Sequence, residues 1–145
     1  MNSQSDRPRV LRAIKKCLSD AYDHCQEAMD TLDEIGRGSI GTGMTPLVGG
    51  FAMIDPKDNY RTALIEVDKV EKSLRPLIKR YEDGRVNASH FKDEEVMKIL
   101  QDMAQFEYQI IFNRLSKREG RETIWYRLRE LSEKIEKVFS LVAEK

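Results

Sequence analysis

Four stretches of this 145-residue chain set apolar side chains three and four residues apart in strict alternation, and little else constrains the fold as much. In the first, Leu11, Ile14, Leu18, Ala21, Cys25, Ala28, Leu32 and Ile35 keep the alternation without a miss. The second carries Tyr60, Ala63, Val67, Val70, Leu74, Leu77 and Tyr81; the third carries Val96, Ile99, Met103, Phe106 and Ile110. The fourth carries Ile124, Leu128, Leu131, Ile135, Val138 and Val142. A repeat of about 3.5 residues is that of a helix lying nearly parallel to its neighbours. The chain is therefore expected to be all-α, a single four-helix bundle over 1–145 with long amphipathic helices and shallow crossing angles.

The punctuation gives the boundaries: helices over about 8–35, 57–82, 92–116 and 121–143. Pro8 suits a first turn, with Asp6 before it as N-cap, and Asp55-Pro56 reads the same way. Pro76 falls inside the second pattern and is expected to kink the helix or end it near Arg75. The third segment has the widest apolar face and is expected to be the most buried. Asn113 stands on that seam, to fix register or to turn outward while Phe112 fills the core. Trp125 and Tyr126 are adjacent, so one points inward and the other is exposed. The short link at Gly120 makes the third and fourth helices antiparallel neighbours.

Charge narrows the function classes. Lys plus Arg is 25 and Asp plus Glu is 25, a net charge of zero. That argues against a globally basic nucleic-acid binder and leaves only local basic ends for one. The first helix begins basic (Arg7, Arg9, Arg12, Lys15, Lys16) and ends acidic (Asp20, Asp23, Glu27, Asp30, Asp33, Glu34). That order opposes the helix macrodipole and asks for compensation. In an up-down-up-down bundle the acidic half lies level with Arg114, Lys117, Arg118, Arg121, Arg127 and Arg129, and interhelical complementarity is the simplest answer. No run reaches the ~20 apolar residues of a membrane span. Cys17 and Cys25 sit about 12 Å apart along one helix, beyond the roughly 7 Å of a disulfide. Reduced thiols and a polar start point to the cytoplasm.

The Gly-rich connection, 36–55, is the odd segment. From Ser39 to Ile54 it has no charged residue, in a chain that is 34% charged. It holds Met44, Leu47, Val48, Phe51, Met53 and Ile54 as candidate partner-contact residues. Such a segment packs on the bundle end, forms a hairpin or meets a partner. Gly36-Arg-Gly38-Ser-Ile-Gly41 matches a dinucleotide fingerprint by letter, but a helix precedes it where the chemistry needs a strand.

Other chemistry is thin. Neither His24 nor His90 stands three residues after a glutamate, so a di-iron centre is not expected; His24, near Asp20 and Glu27, reads as a partly exposed structural histidine. No cofactor or metal is expected. Arg85-Val-Asn-Ala-Ser-His90 sets an Arg and a His with four residues between them, and in that spacing resembles the motif of the small all-α nucleases of the HEPN class. The resemblance covers six residues. It implies an RNA-binding or RNA-cleaving module in which His90 moves a proton and Arg85 holds phosphate. A third possibility is a ligand cavity lined by Phe106, Phe112 and Trp125. The leading expectation is a non-enzymatic interaction or scaffold bundle that associates with itself.

Overall fold

The computed structural model describes residues 3–44 and 56–144. They form five α-helices: α1 (Ser3–Met44), α2 (Pro56–Glu82), α3 (Val96–Ala104), α4 (Tyr108–Ser116) and α5 (Arg121–Ser140). A short 3-10 turn, Ala88–His90, separates α2 from α3. Among the described residues the only β-structure is one isolated antiparallel bridge, Phe91 to Val142. α1 packs on α2 and α5; α2 packs on α3 and α4; α3 also packs on α5. Thus α3 and α4 together make the fourth rod of the bundle.

The pairings along each interface give the directions. His24 meets Glu66, while Cys17 lies against the Leu77 backbone, so α2 runs antiparallel to α1. Cys25 meets Leu128, while Leu18 shares a groove with Ile135, so α5 is antiparallel to α1 as well. Glu95 reaches Lys137 near the Phe91–Val142 bridge, which sets α3 antiparallel to α5. The first and second helices are therefore adjacent, and the bundle runs up-down-up-down.

The seams form the core. Leu11, Ile14, Leu18, Ala21, Cys25, Ala28 and Leu32 of α1 are buried, as are Ala63, Val67, Val70, Leu74 and Leu77 of α2. Ile124, Leu128, Leu131, Ile135 and Val138 of α5 join them, and Val142 closes the end. Trp125 is half-buried and Tyr126 is 56% exposed, which assigns that pair. Asn113 is exposed, and Phe112 packs against the core.

Several helix boundaries differ from the sequence reading. The Gly-rich loop expected from residue 36 is helical as far as Met44. Glycine costs a helix only about 1 kcal/mol per residue relative to alanine, and Pro46 is the first residue after Gly36 without a backbone donor. Leu47, Val48, Phe51, Met53 and Ile54, and the side chain of Met44, lie outside the described residues. At the other end α1 starts at Ser3, so Pro8 lies inside the helix and Asp6 is in its first turn rather than capping it. Pro76 does not end α2, which continues to Glu82. It is exposed, and the buried Leu74 and Leu77 on either side hold the helix to the core.

The helix expected over 92–116 is two helices. It begins at Val96 and breaks at Gln105–Glu107. An unbroken helix keeping Val96, Leu100 and Met103 inward would next turn Glu107 and Arg114 toward the core. The break shifts the register so that Ile111 and Leu115 are buried, and Ile110, expected on the seam, is 40% exposed. The buried positions of this segment are Val96, Leu100, Met103, Ile111 and Leu115. Finally, α5 stops at Ser140, because the residues after it give their backbone to the bridge: Lys92 N–H donates to Leu141 O at 2.7 Å and Ala143 N–H to His90 O at 2.9 Å.

Two helices end in the same way. In α2, Gly84 N–H bonds Tyr81 O and Arg85 N–H bonds Arg80 O, with Gly84 at φ +80°. In α4, Arg118 N–H bonds Leu115 O and Glu119 N–H bonds Arg114 O, with Arg118 at φ +57°. Both are Schellman caps, which favour glycine at the left-handed position. Arg118→Gly should stabilise the protein by about 1 kcal/mol, and Gly84→Ala should destabilise it by a similar amount. Urea unfolding checks both, and a loss of stability in Arg118→Gly would contradict the reading.

Candidate functional site

The stretch from Arg85 to His90 forms a tight turn at one end of the bundle. Arg85 is spent on this turn: its N–H closes the α2 cap, and its guanidinium pairs with Asp83 at 2.9 Å. Asn87 organises the rest. Its Oδ1 accepts from Ser89 N–H at 3.0 Å and from Ser89 Oγ at 2.6 Å, and its own N–H donates to His90 Nδ1 at 3.1 Å. That is a capping box with histidine in the reciprocal position. Since Nδ1 accepts a hydrogen bond, the neutral ring carries its proton on Nε2.

His90 is only 8% exposed, and burial, with the Arg7 charge adding to it, holds its pKa below the usual histidine value. Arg7 arrives from α1, where its Nη2 donates to Ser89 O at 2.7 Å. The motif's two residues thus have different partners, and the arginine that acts on His90 is Arg7. Sequence reasoning had no means of finding Arg7, because 82 positions separate it from Ser89 and only the tertiary fold unites them.

The remaining polar groups are likewise engaged in holding helices together. His24 is bonded through Nδ1 to Glu66 Oε1 of α2 at 2.8 Å, and Lys69 approaches the other carboxylate oxygen at 3.6 Å. Its expected neighbour Asp20 is paired with Lys16 at 3.0 Å. Among the described residues no three His, Cys, Asp or Glu side chains gather as a metal site would require. Cys25 is fully buried and donates from Sγ to Leu128 O at 3.2 Å; burial pushes its pKa to about 12. Cys17 is half-buried, and burial raises its pKa too. Neither thiol has the depressed pKa of a nucleophile.

The aromatic residues do not share one cavity. Phe106 and Tyr108 stand edge to face at 4.8 Å beside the α3–α4 break, where they line an open cleft of about 510 Å³ with Leu74, Ile78 and Met103. Burial raises the Tyr108 pKa strongly, so the phenol is neutral. Phe112 lines a different hollow, with Leu64 and Gln109. Trp125 is on α5, with the Tyr126 ring 5.1 Å away and the Arg129 guanidinium 5.7 Å from its centroid.

On the surface, the middle of α2 pairs its charges locally through Glu66–Lys69, Asp68–Lys72 and Glu71–Arg75. The acidic half of α1 is not: Asp23, Glu27, Asp30 and Glu34 are exposed and make no ion pair among the described residues. The complementarity expected between them and the basic residues of the third and fourth helices is not made by direct pairs there. Arg121 instead lies across Gly36, where an added Cβ would stand 2.7 Å from its Nη1. Glycine there admits the guanidinium to the helix surface. No family model, curated protein or solved structure matches the chain.

Two predictions follow from these environments. The folded pKa of His90 lies below its unfolded value of 6.5, so the unfolded chain binds the extra proton between the two. The contribution of His90 is then complete above pH 6.5 and is lost as pH falls toward the folded pKa. His90→Gln should remove that dependence below about pH 7 and cost about 1–2 kcal/mol at neutral pH. Denaturant curves across this range check it, and an unchanged slope would rule out the assignment. In thiol labelling of the folded protein, Cys17 should react before Cys25, and Cys25 only as fast as the chain opens. Equal rates would contradict the burial argument.

Proposed function

We propose that this protein is a non-enzymatic helical interaction module that assembles with copies of itself, working in a reducing, cytoplasmic compartment. The observation that carries this reading is the absence of charge from Ser39 to Ile54 in a chain one-third charged. A connection held only by solvation would be polar. This one offers Met44, Leu47, Val48, Phe51, Met53 and Ile54 as an apolar contact set. The chemistry of the rest supports it: Arg85 and His90 build a turn, His24 joins two helices, and Cys25 seals a third contact. The compartment rests on two free thiols and on the fact that no helix among the described residues is long and apolar enough to cross a membrane.

Light scattering after size-exclusion chromatography tests the reading. The wild-type mass should exceed the 16.9 kDa of one chain and rise with concentration. The double variant Leu47→Ser with Phe51→Ser should lower the mass at each concentration while leaving the helical content unchanged. A wild type that stays at 16.9 kDa throughout overturns the proposal.

A further inference from the structure

α1 carries a second surface, unlike the connection in chemistry. Between Arg9 and Glu34, its exposed positions are Arg9, Arg12, Lys16, Ser19, Asp23, Glu27, Asp30 and Glu34. They recur at intervals of three and four, so they lie in one stripe along the helix, opposite the buried seam. Along that stripe the sign changes once: three cations, a serine, then four carboxylates. Lys16 is held by Asp20 of its own helix, whereas Arg9, Arg12 and all four carboxylates make no ion pair among the described residues.

We infer that two copies of the chain pair through this stripe, α1 against α1 and antiparallel, about a two-fold axis level with Ala21 and Tyr22. The inference rests on the reading that the chain self-associates, and it names the surface and its symmetry. Charge complementarity decides the occupant. Reversing one copy on the other sets Arg9 opposite Glu34, Arg12 opposite Asp30, Lys16 opposite Glu27 and Ser19 opposite Asp23, and symmetry makes each pairing twice. Such a surface is isologous: one patch is its own complement, as a closed dimer requires. Parallel pairing would stack like on like. The spacing fits the shallow packing of two long helices, with the small Ser19 next to the axis where the backbones come closest. The partner's charges also supply what the macrodipole lacks: its carboxylates come to the N-terminal half of each helix and its cations to the C-terminal half. Contacts of this kind set orientation and register, and salt weakens them.

Charge reversal tests the pairing in the full-length chain, with mass read by light scattering and helicity by circular dichroism. Arg9→Glu, Arg12→Glu and Lys16→Glu together make the stripe wholly acidic. Glu27→Lys, Asp30→Lys and Glu34→Lys together leave it basic but for Asp23. Each triple variant alone should fall from the wild-type mass by about the twofold of a dimer lost. An equimolar mixture of the two should recover it, and so should a single chain carrying all six substitutions. Raising salt from about 0.05 M to about 1 M should dissociate the wild type as the screening length shrinks from roughly 14 Å to 3 Å. An association that survives both triple variants and high salt overturns this inference and leaves the apolar connection as the sole contact. A six-fold variant that is folded yet monomeric also overturns it. A wild type that is monomeric under every condition overturns the self-association reading itself.

Discussion

The close approach of α1 to its two neighbours is the contact on which the bundle depends. Ala21, Cys25 and Ala28 stand in the middle of its seam and are fully buried, and Ala63 is equally buried on α2. Side chains this small let backbones come near. Cys25 reaches the carbonyl of Leu128 on α5, and Cys17 lies against the backbone of Leu77 on α2. Larger buried residues flank the small ones, with Ile14 and Leu18 on one side and Leu32 on the other. A bulkier residue at Cys25 would push α5 outward and break the thiol bond together with the packing.

The fourth rod meets a harder problem, because its sequence cannot keep one apolar seam over its full length. Breaking at Gln105–Glu107 sacrifices helical hydrogen bonds to keep Glu107 and Arg114 in water, and Met103, Ile111 and Leu115 remain buried. Phe106 and Tyr108 cover the break edge to face. At the end of the bundle three weak features are joined: the capped turn at Asn87, the tail at Val142 and the first turns of α1 through Arg7. Each strand of backbone there satisfies another's polar groups, which lets the bundle close without a regular element.

The seams were legible because burial repeats, and a repeat shows through any single ambiguous residue. The first, second and fourth seams lie in the core residue for residue, apart from half-buried ends such as Ile35, Tyr60 and Tyr81. The third was misread because Ile99, Phe106 and Ile110 complete an unbroken pattern; the fold instead keeps Leu100, Ile111 and Leu115 inward, and the break that spares Glu107 and Arg114 depends on neighbours the sequence does not show. Gly36, Gly38, Gly41 and Gly43 suggested a loop, yet each costs a helix little and none removes a donor. The Arg85–His90 spacing was real as letters. Its geometry was decided by residues outside the six, Asp83 on one side and Arg7 on the other.

Surface charge is where sequence and fold part company most usefully. Hydrophobic burial along α1 fixes its helix regardless of what stands on the outer face, since tertiary packing outweighs the few tenths of a kcal/mol to about 1 kcal/mol that a misplaced terminal charge costs. The outer face is therefore free to carry an arrangement that an isolated helix would resist. α2 uses that freedom conservatively through its middle, alternating signs so that Lys69, Lys72 and Arg75 each find a carboxylate one turn away. α1 does the opposite, gathering its cations at one end and its carboxylates at the other. Unpaired charges in water cost little, so stability alone neither requires nor removes the segregation. What segregation adds is a direction. A helix face whose sign changes once between Arg9 and Glu34 distinguishes its two ends at a distance, and its complement is the same face reversed.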